Sequence, residues 1–344
     1  MTATSPARSK HEPRVEDDAL VRGNGRFADD PRLPNQAYAA FVRSPHAHAR
    51  VLAVNSETAR KAKHVLAVLT AEDMKAAGVG SVARHPPVPG RGGAKMAMPF
   101  RPALASDKVM HVGEPVAMVV AETAAAALDA ADLVQVDYEE LPAVVDLETA
   151  MKGQTQLFAD APGNLCVDWP GPVENAQNER DVAAIIAKAA HVARISVTNQ
   201  RMVVATLETR GATGVYDAGT ESYTLHACSQ GADSLRSMGA AIMGIPNDKL
   251  RVITGDVGGA FGMKTTVYPE YPALLIAARK LGRPVHWQST RSEAFVTDIQ
   301  ARDTVSHVEL AVDDKGKFLA LRVRHLCNQG AYVSTAGIGL NTNN

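Results

Sequence analysis

The sequence predicts a mixed α+β chain, and three stretches carry that prediction. Leu250 to Gln288 runs from a β-branched strand, Val252-Ile253-Thr254, through a glycine-rich turn into a helical stretch at Thr266–Leu281 and a second strand at Pro284–Gln288. Val116–Ala121 is an uninterrupted apolar run of the buried-strand kind, and the helix Thr123–Ala131 and alternating strand Val134–Tyr138 complete a β-α-β pattern. Thr304–Val312 and Phe318–Leu326 flank Asp313-Asp314-Lys315-Gly316-Lys317, which reads as a hairpin. A chain of 344 residues has length for about two domains.

The remaining elements follow in order. Residues 1–20 are expected to be a disordered lead-in, with no apolar h-region in Met1–Glu12 that a secretory signal would need. Ala37–Arg43, Arg50–Val54 and Val65–Thr70 read as strands, Ser56–Ala62 and Ala71–Ala77 as short helices, and Gly78 ends the second. Gly80–Pro102 is a long proline- and glycine-bearing loop, and order returns at Lys108–Val112. Residues 21–150 form the first unit, 151–170 a linker with the boundary near Pro162-Gly163-Asn164, and 171–344 the second unit. Within that second unit Glu179–His191 reads as a helix, with an apolar stripe at Val182, Ile185, Ile186 and Ala189 assigned to the core. Strands are expected at Val192–Asn199, across Met202–Tyr216 and at Tyr223–Ala227, followed by a helix Ala232–Met243 that Gly244-Ile245-Pro246 stops.

Composition excludes several classes. The formal net charge of -1 gives no basic excess for nucleic acid or a membrane surface, and the longest apolar runs are strand-length, so no membrane span is expected. Cys166, Cys228 and Cys327 lie far apart and form no CxxC or Cys/His cluster, which argues for a reducing, cytoplasmic setting and against an iron–sulfur or zinc site on this chain. Each is expected to act as a small buried hydrophobe. His46, His48 and Glu114 resemble part of a metal-ligand set, but a loop flanked by Arg43 and Arg50 favours solvated histidines.

The chemistry concentrates in Gly255-Asp256-Val257-Gly258-Gly259-Ala260-Phe261-Gly262-Met263-Lys264. Its glycines permit positive φ and close approach of a ligand to main-chain N–H groups, which favour anions. The spacing of 258, 259 and 262 does not fit the dinucleotide fingerprint, and Met263 between Gly262 and Lys264 breaks the Walker A pattern. Gln230, at a strand end before a helix, can point its amide at a ligand.

Gly258-Gly259-Ala260-Phe261-Gly262-Met263-Lys264, with Tyr268-Pro269-Glu270-Tyr271-Pro272 and Leu281-Gly282-Arg283-Pro284-Val285, resembles the molybdopterin-contacting segment of the molybdenum hydroxylases, the family of xanthine dehydrogenase, aldehyde oxidase and aerobic carbon monoxide dehydrogenase. Phe41-Val42-Arg43-Ser44-Pro45-His46-Ala47-His48-Ala49 and Val112-Gly113-Glu114-Pro115-Val116-Ala117 are similar to phrases of the α/β hammerhead domain that opens its large subunits. The resemblance implies a hammerhead domain followed by the first, incomplete part of the molybdopterin-binding domain. It implies a Mo-molybdopterin cofactor in the cytosine dinucleotide form, with FAD on a medium subunit and [2Fe-2S] clusters on a small subunit, and oxidation of a small molecule with oxygen from water. Gln230 of Cys228-Ser229-Gln230 would then hydrogen-bond an oxygen ligand of molybdenum, with Phe261 also close to the metal and Gly259 and Gly262 against the cofactor. Lys264 is expected to be a packing or solvated lysine.

Two departures matter. Purine-hydroxylating members carry a glutamate where this chain has Thr265, which disfavours xanthine and leaves aldehyde, N-heterocycle or carbon monoxide-like substrates. The general-base glutamate and the C-terminal half of the large subunit are expected beyond Asn344, so no catalytic residue is assigned, and Glu208, Glu270 and Glu293 are read as surface or turn carboxylates. An incomplete domain also leaves strands unpaired and predicts poor solubility alone. Alternative readings are a truncated, non-catalytic relic and a scaffold that docks other subunits.

Overall fold

A computed structural model describes residues 14–82, 86–172, 174–334 and 337–342. Residues 1–13 of the expected lead-in and the last residues of the expected tail lie outside these. Residues Asp17–Val21 form one helical turn, nucleated where the Asp17 carboxylate accepts from the Arg14 backbone N–H.

In chain order the strands are β1 (Ala37–Arg43), β2 (Ala49–Asn55), β3 (Val65–Thr70), β4 (Lys108–Val109), β5 (Pro115–Ala121), β6 (Gln135–Glu140), β7 (His191–Asn199), β8 (Gly211–Asp217), β9 (Ser222–Ala227), β10 (Leu250–Ile253), β11 (Val285–Gln288), β12 (Thr304–Val312) and β13 (Phe318–Cys327). The longer helices are α1 (Ala124–Ala131), α2 (Ala176–Lys188), α3 (Ala232–Met243), α4 (Glu270–Leu281) and α5 (Arg291–Thr297).

The main sheet has seven strands in the order β10-β9-β8-β11-β1-β5-β3. It therefore draws strands from both ends of the chain, and the seam is the parallel pairing of β1 with β11, Ala37 opposite Val285 and Tyr38 opposite His286. Every residue of β5 is buried, because Met118 and Val120 enter the main core while Ala117 and Val119 enter a second cluster under α1. On the other half α4 lies against β8, and Gly214 makes that approach possible: a Cβ there would come within 2.8 Å of the Leu274 backbone. Smaller three-stranded sheets, β4-β2-β6 and β13-β12-β7, flank it.

Several boundaries differ from expectation for identifiable reasons. The helix expected from Thr266 begins at Glu270, because Pro269 pushes Tyr268 out of the helical region and a 3-10 turn at Met263–Thr265 precedes it. The strand region expected across Met202–Tyr216 is a strand only from Gly211; Met202 makes an isolated bridge to Ala301, and Ala205 at φ 47° interrupts any ladder. The stripe on α2 is core at Ile186 but exposed at Ile185. His48 is buried, not solvated, with Nδ1 against the Pro142 carbonyl oxygen at 2.8 Å.

Glu270 is not a surface carboxylate. It is 1% exposed and sits between two arginines, Arg210 Nη1 at 3.0 Å and Arg43 Nη2 at 3.0 Å. Arg210, itself fully buried, also pairs with Asp298 and lies 3.7 Å from the centre of the Tyr268 ring, while Arg43 Nε reaches Glu293 at 2.8 Å. Glu293 likewise is no free turn carboxylate, since it closes a capping box with Thr290 at the start of α5. This charged core joins β1 of the first half to α4 and α5 of the second.

Candidate functional site

The glycine turn leaves β10 and crosses to α4, and the residues expected to form a site do come together there. Gln230 follows β9, the neighbour of β10 in the sheet, so its backbone is already beside the turn. Its N–H donates to the Lys264 carbonyl at 3.0 Å, and its Oε1 accepts from the backbone N–H of Gly262 at 2.9 Å and of Lys264 at 3.2 Å. With its oxygen occupied, the amide presents Nε2, which has no partner among the described residues, as a donor.

Phe261 is the strained point of the turn. It holds φ 47°, a conformation unfavourable for a bulky residue, and its side chain is 79% exposed. The ring lies over Gly259, at φ 94°, where an added Cβ would sit 3.1 Å from the ring edge. Gly262 is also at φ 94°, with open space where a side chain would be. The backbone N–H groups of Gly259, Ala260 and Phe261 have no partner among the described residues, so three consecutive donors remain available to an anion.

The base of the turn is fixed by groups to which the sequence assigns no such role. Arg26 N donates to the Asp256 carboxylate at 2.7 Å, and Asp256 N donates back to the Arg26 carbonyl at 2.9 Å. Lys264 is buried, not solvated, and its ammonium donates to Glu208 Oε2 at 2.9 Å and to the Glu208 carbonyl at 3.1 Å. Glu208 is correspondingly no surface carboxylate: its side chain is 10% exposed. No local signal marks it, because its partners Gly258 and Lys264 lie 50 and 56 residues further along the chain. Cys228 is buried beneath, where burial pushes its thiol up, and Cys166 and Cys327 are half-buried and unpaired. His46 and Glu114 do not converge with His48: His46 faces Glu140 at 2.8 Å, and Glu114 accepts from Tyr332 and from the Met110 N–H.

An amide donor, three free main-chain donors and open space at a glycine suit a polyanionic ligand with acceptor oxygens, such as a pterin dithiolene carrying a metal and phosphate. The molybdopterin cofactor-binding domain family matches residues 160–343, more than half of the sequence. The chain belongs to that family. A second match, to the aldehyde oxidase and xanthine dehydrogenase a/b hammerhead domain, covers residues 22–142 of this molybdopterin-binding chain. It is 33% identical, over 94% of its length, to the carbon monoxide dehydrogenase large chain of Afipia carboxidovorans, and 31% identical, over 94%, to the nicotine 6-hydroxylase large subunit of Paenarthrobacter nicotinovorans. These matches take in 40% and 38% of those proteins, so the chain spans about two fifths of the relatives it resembles. Quinoline 2-oxidoreductase from Pseudomonas putida 86 superposes with a TM-score of 0.78 at 33% identity, over 91% of this chain and 38% of that one.

Proposed function

We propose that this chain is the N-terminal part of the molybdopterin-binding large subunit of a molybdenum hydroxylase, and that Gln230, Gly259, Phe261 and Gly262 face the cofactor. The observation that carries the reading is the amide of Gln230. Two backbone N–H groups of the glycine turn hold its oxygen, which leaves Nε2 aimed outward as a fixed donor beside an exposed, strained phenylalanine.

When bound, the molybdenum centre would supply the redox chemistry that transfers oxygen from water to substrate. The chain's own residues bind and orient. Gln230 Nε2 donates to an acceptor of the cofactor, the N–H groups of 259–261 take its anionic portion, Gly262 leaves room for close approach, and Phe261 shields one side from water. Neither Glu208 nor Glu270 is free to act as a general base, since each is committed to a buried cation. This supports a reading in which the general base is supplied by another part of the large subunit.

The finer assignments rest on the same reading: a cytosine dinucleotide form of the cofactor, a medium subunit with FAD, a small subunit with [2Fe-2S] clusters, a cytoplasmic setting, and an aldehyde, N-heterocycle or carbon monoxide-like substrate. Relatives that act on nicotine and quinoline support the N-heterocycle part of that range, and Thr265 in place of a glutamate argues against xanthine. No helix among the described residues is long and apolar enough to cross a membrane.

The test is molybdenum per chain in protein purified from its native cell with whatever co-purifies, followed by release and identification of the nucleotide. Near-stoichiometric metal with a cytosine nucleotide is expected. Background metal in folded protein overturns the reading and leaves a scaffold or a non-catalytic relic.

A further inference from the structure

We infer that Glu208 is a positioning residue for the glycine turn, the side chain that sets the distance between the turn's two ends and so the shape of its free segment. The inference rests on the reading of this turn as the cofactor cradle.

Its basis is the distribution of bonds along the turn. At the entry, Gly258 and Glu208 exchange two hydrogen bonds: Gly258 N donates to Glu208 Oε2 at 2.8 Å, and Glu208 N donates to the Gly258 carbonyl at 3.0 Å. At the exit, the Lys264 ammonium donates to that same Oε2. The other carboxylate oxygen, Oε1, accepts from the Ala28 N–H at 3.1 Å. Glu208 is thus the one side chain among the described residues that bonds both ends of the turn, and it ties both to the segment running past Arg26 and Ala28. Residues 259–261 between the anchors make no main-chain bond of their own through nitrogen, so the span imposed at 258 and 264 decides their course.

Close packing reinforces the anchor. A Cβ on Gly258 would fall 2.5 Å from the Glu208 Cβ, so only glycine lets the turn come this near. The effect passes to the ligand-facing donor as well, since Lys264 N and Gly262 N, on the exit limb, hold the Gln230 oxygen and with it the direction of Nε2. The charge arithmetic is also specific. The Lys264 cation is spent on Glu208 within the protein, so the attraction for an anion comes from the main-chain N–H groups whose placement Glu208 controls.

Glutamine cannot replace this carboxylate. The present bonds require an acceptor on both oxygens, and a carboxamide would set its NH2 against either the Ala28 N–H or the Lys264 ammonium. Because Glu208→Gln alone strands a buried cation and can fail to fold, the deciding protein is the double variant Glu208→Gln/Lys264→Met, made in the native host and purified with its partners alongside wild type. Molybdenum content, the Mo(V) electron paramagnetic resonance spectrum and hydrogen exchange of the bonded amides of Gly258, Gly262 and Lys264 are measured on both.

We expect the folded double variant to exchange these amides about tenfold faster, to hold about tenfold less molybdenum, and to give altered Mo(V) g-values in the fraction that stays loaded. Wild-type exchange, molybdenum and spectrum in that variant would overturn the inference. If wild type itself carries only background molybdenum, the cofactor reading falls, and exchange alone decides the positioning role: a rise of about tenfold at Gly258, Gly262 and Lys264 upholds it and an unchanged rate overturns it.

Discussion

Arg43 on β1 and Glu270 at the start of α4 meet at 3.0 Å in the interior, although 227 residues separate them in the sequence. Arg210 approaches the same carboxylate from the other side, so one buried anion serves two cations. Removing the anion leaves both arginines uncompensated, whereas removing Arg43 leaves Glu270 still paired. Glu270→Gln should therefore cost about 3–5 kcal/mol and Arg43→Met distinctly less. Urea unfolding of the two variants checks the order, and the reverse order would refute the account.

The same carboxylate makes stability depend on acid. Burial opposes its ionisation, but the charges of Arg210 and then Arg43 outweigh burial and hold it at about 2. A pKa depressed in the folded state stabilises fully above the unfolded value, about 4.3, and that stabilisation is lost as the pH falls from there towards 2. The gap in unfolding free energy between wild type and Glu270→Gln should be constant above about pH 5 and narrow below about pH 4. A gap that does not change through this window would contradict it.

Phe261 trades stability for placement. Glycine accepts φ 47° without strain, so Phe261→Gly should raise the unfolding free energy by about 1 kcal/mol while lowering molybdenum retention; Phe261→Ala, still strained, should lower retention without the gain. Calorimetry and metal analysis on the same preparations separate the two effects.

For Gln230 the two ends of the amide can be tested apart. Gln230→Glu keeps an oxygen for Gly262 N and Lys264 N but loses the outward donor, and Gln230→Leu loses both. Thermal unfolding should show little change in the first and a loss of about 1–2 kcal/mol in the second, while molybdenum falls in both. Retention of metal by Gln230→Glu would mean that Nε2 faces nothing.

The sheet β13-β12-β7 has one charged face, with Arg194, Glu309 and Arg322 side by side, and one apolar face, with Ile195, Val308 and Val323 in one row and Leu310 beside Leu321 in the next. Ile195 and Leu321 are 60% and 58% exposed. By itself the chain should self-associate through this face. Ile195→Lys with Leu321→Lys should reduce light scattering at a given concentration with little change in stability.

How far the sequence could be read depended on how local each cause was. The strands β1, β3, β5 and β9 and the helices α1 and α3 follow from patterns within about ten residues, and the glycine turn shows in its own text. Gln230 on its own reads as a polar helix-entry residue and is singled out only through the family resemblance. Two features escaped because their causes are distant. Glu208 and Glu270 read as ordinary surface carboxylates since nothing near them in sequence says that Lys264 is folded against one and Arg43 and Arg210 against the other. The strand expected at Met202 failed because residues 202–210 are shaped by what they hold, the turn and the buried charges, and not by a neighbouring strand.

The parallel seam between β1 and β11 also sets a timetable. Ala37 leaves the ribosome about 250 residues before Val285 does, and until then one flank of β1 is an open edge. The first half cannot close its main sheet as it is made. Arg43 likewise waits for Glu270, which emerges only shortly before Val285. Nascent chains stalled before residue 285 has emerged should thus be bound by chaperones that shield unpaired strands, and release should coincide with the emergence of four residues, Val285 to Gln288.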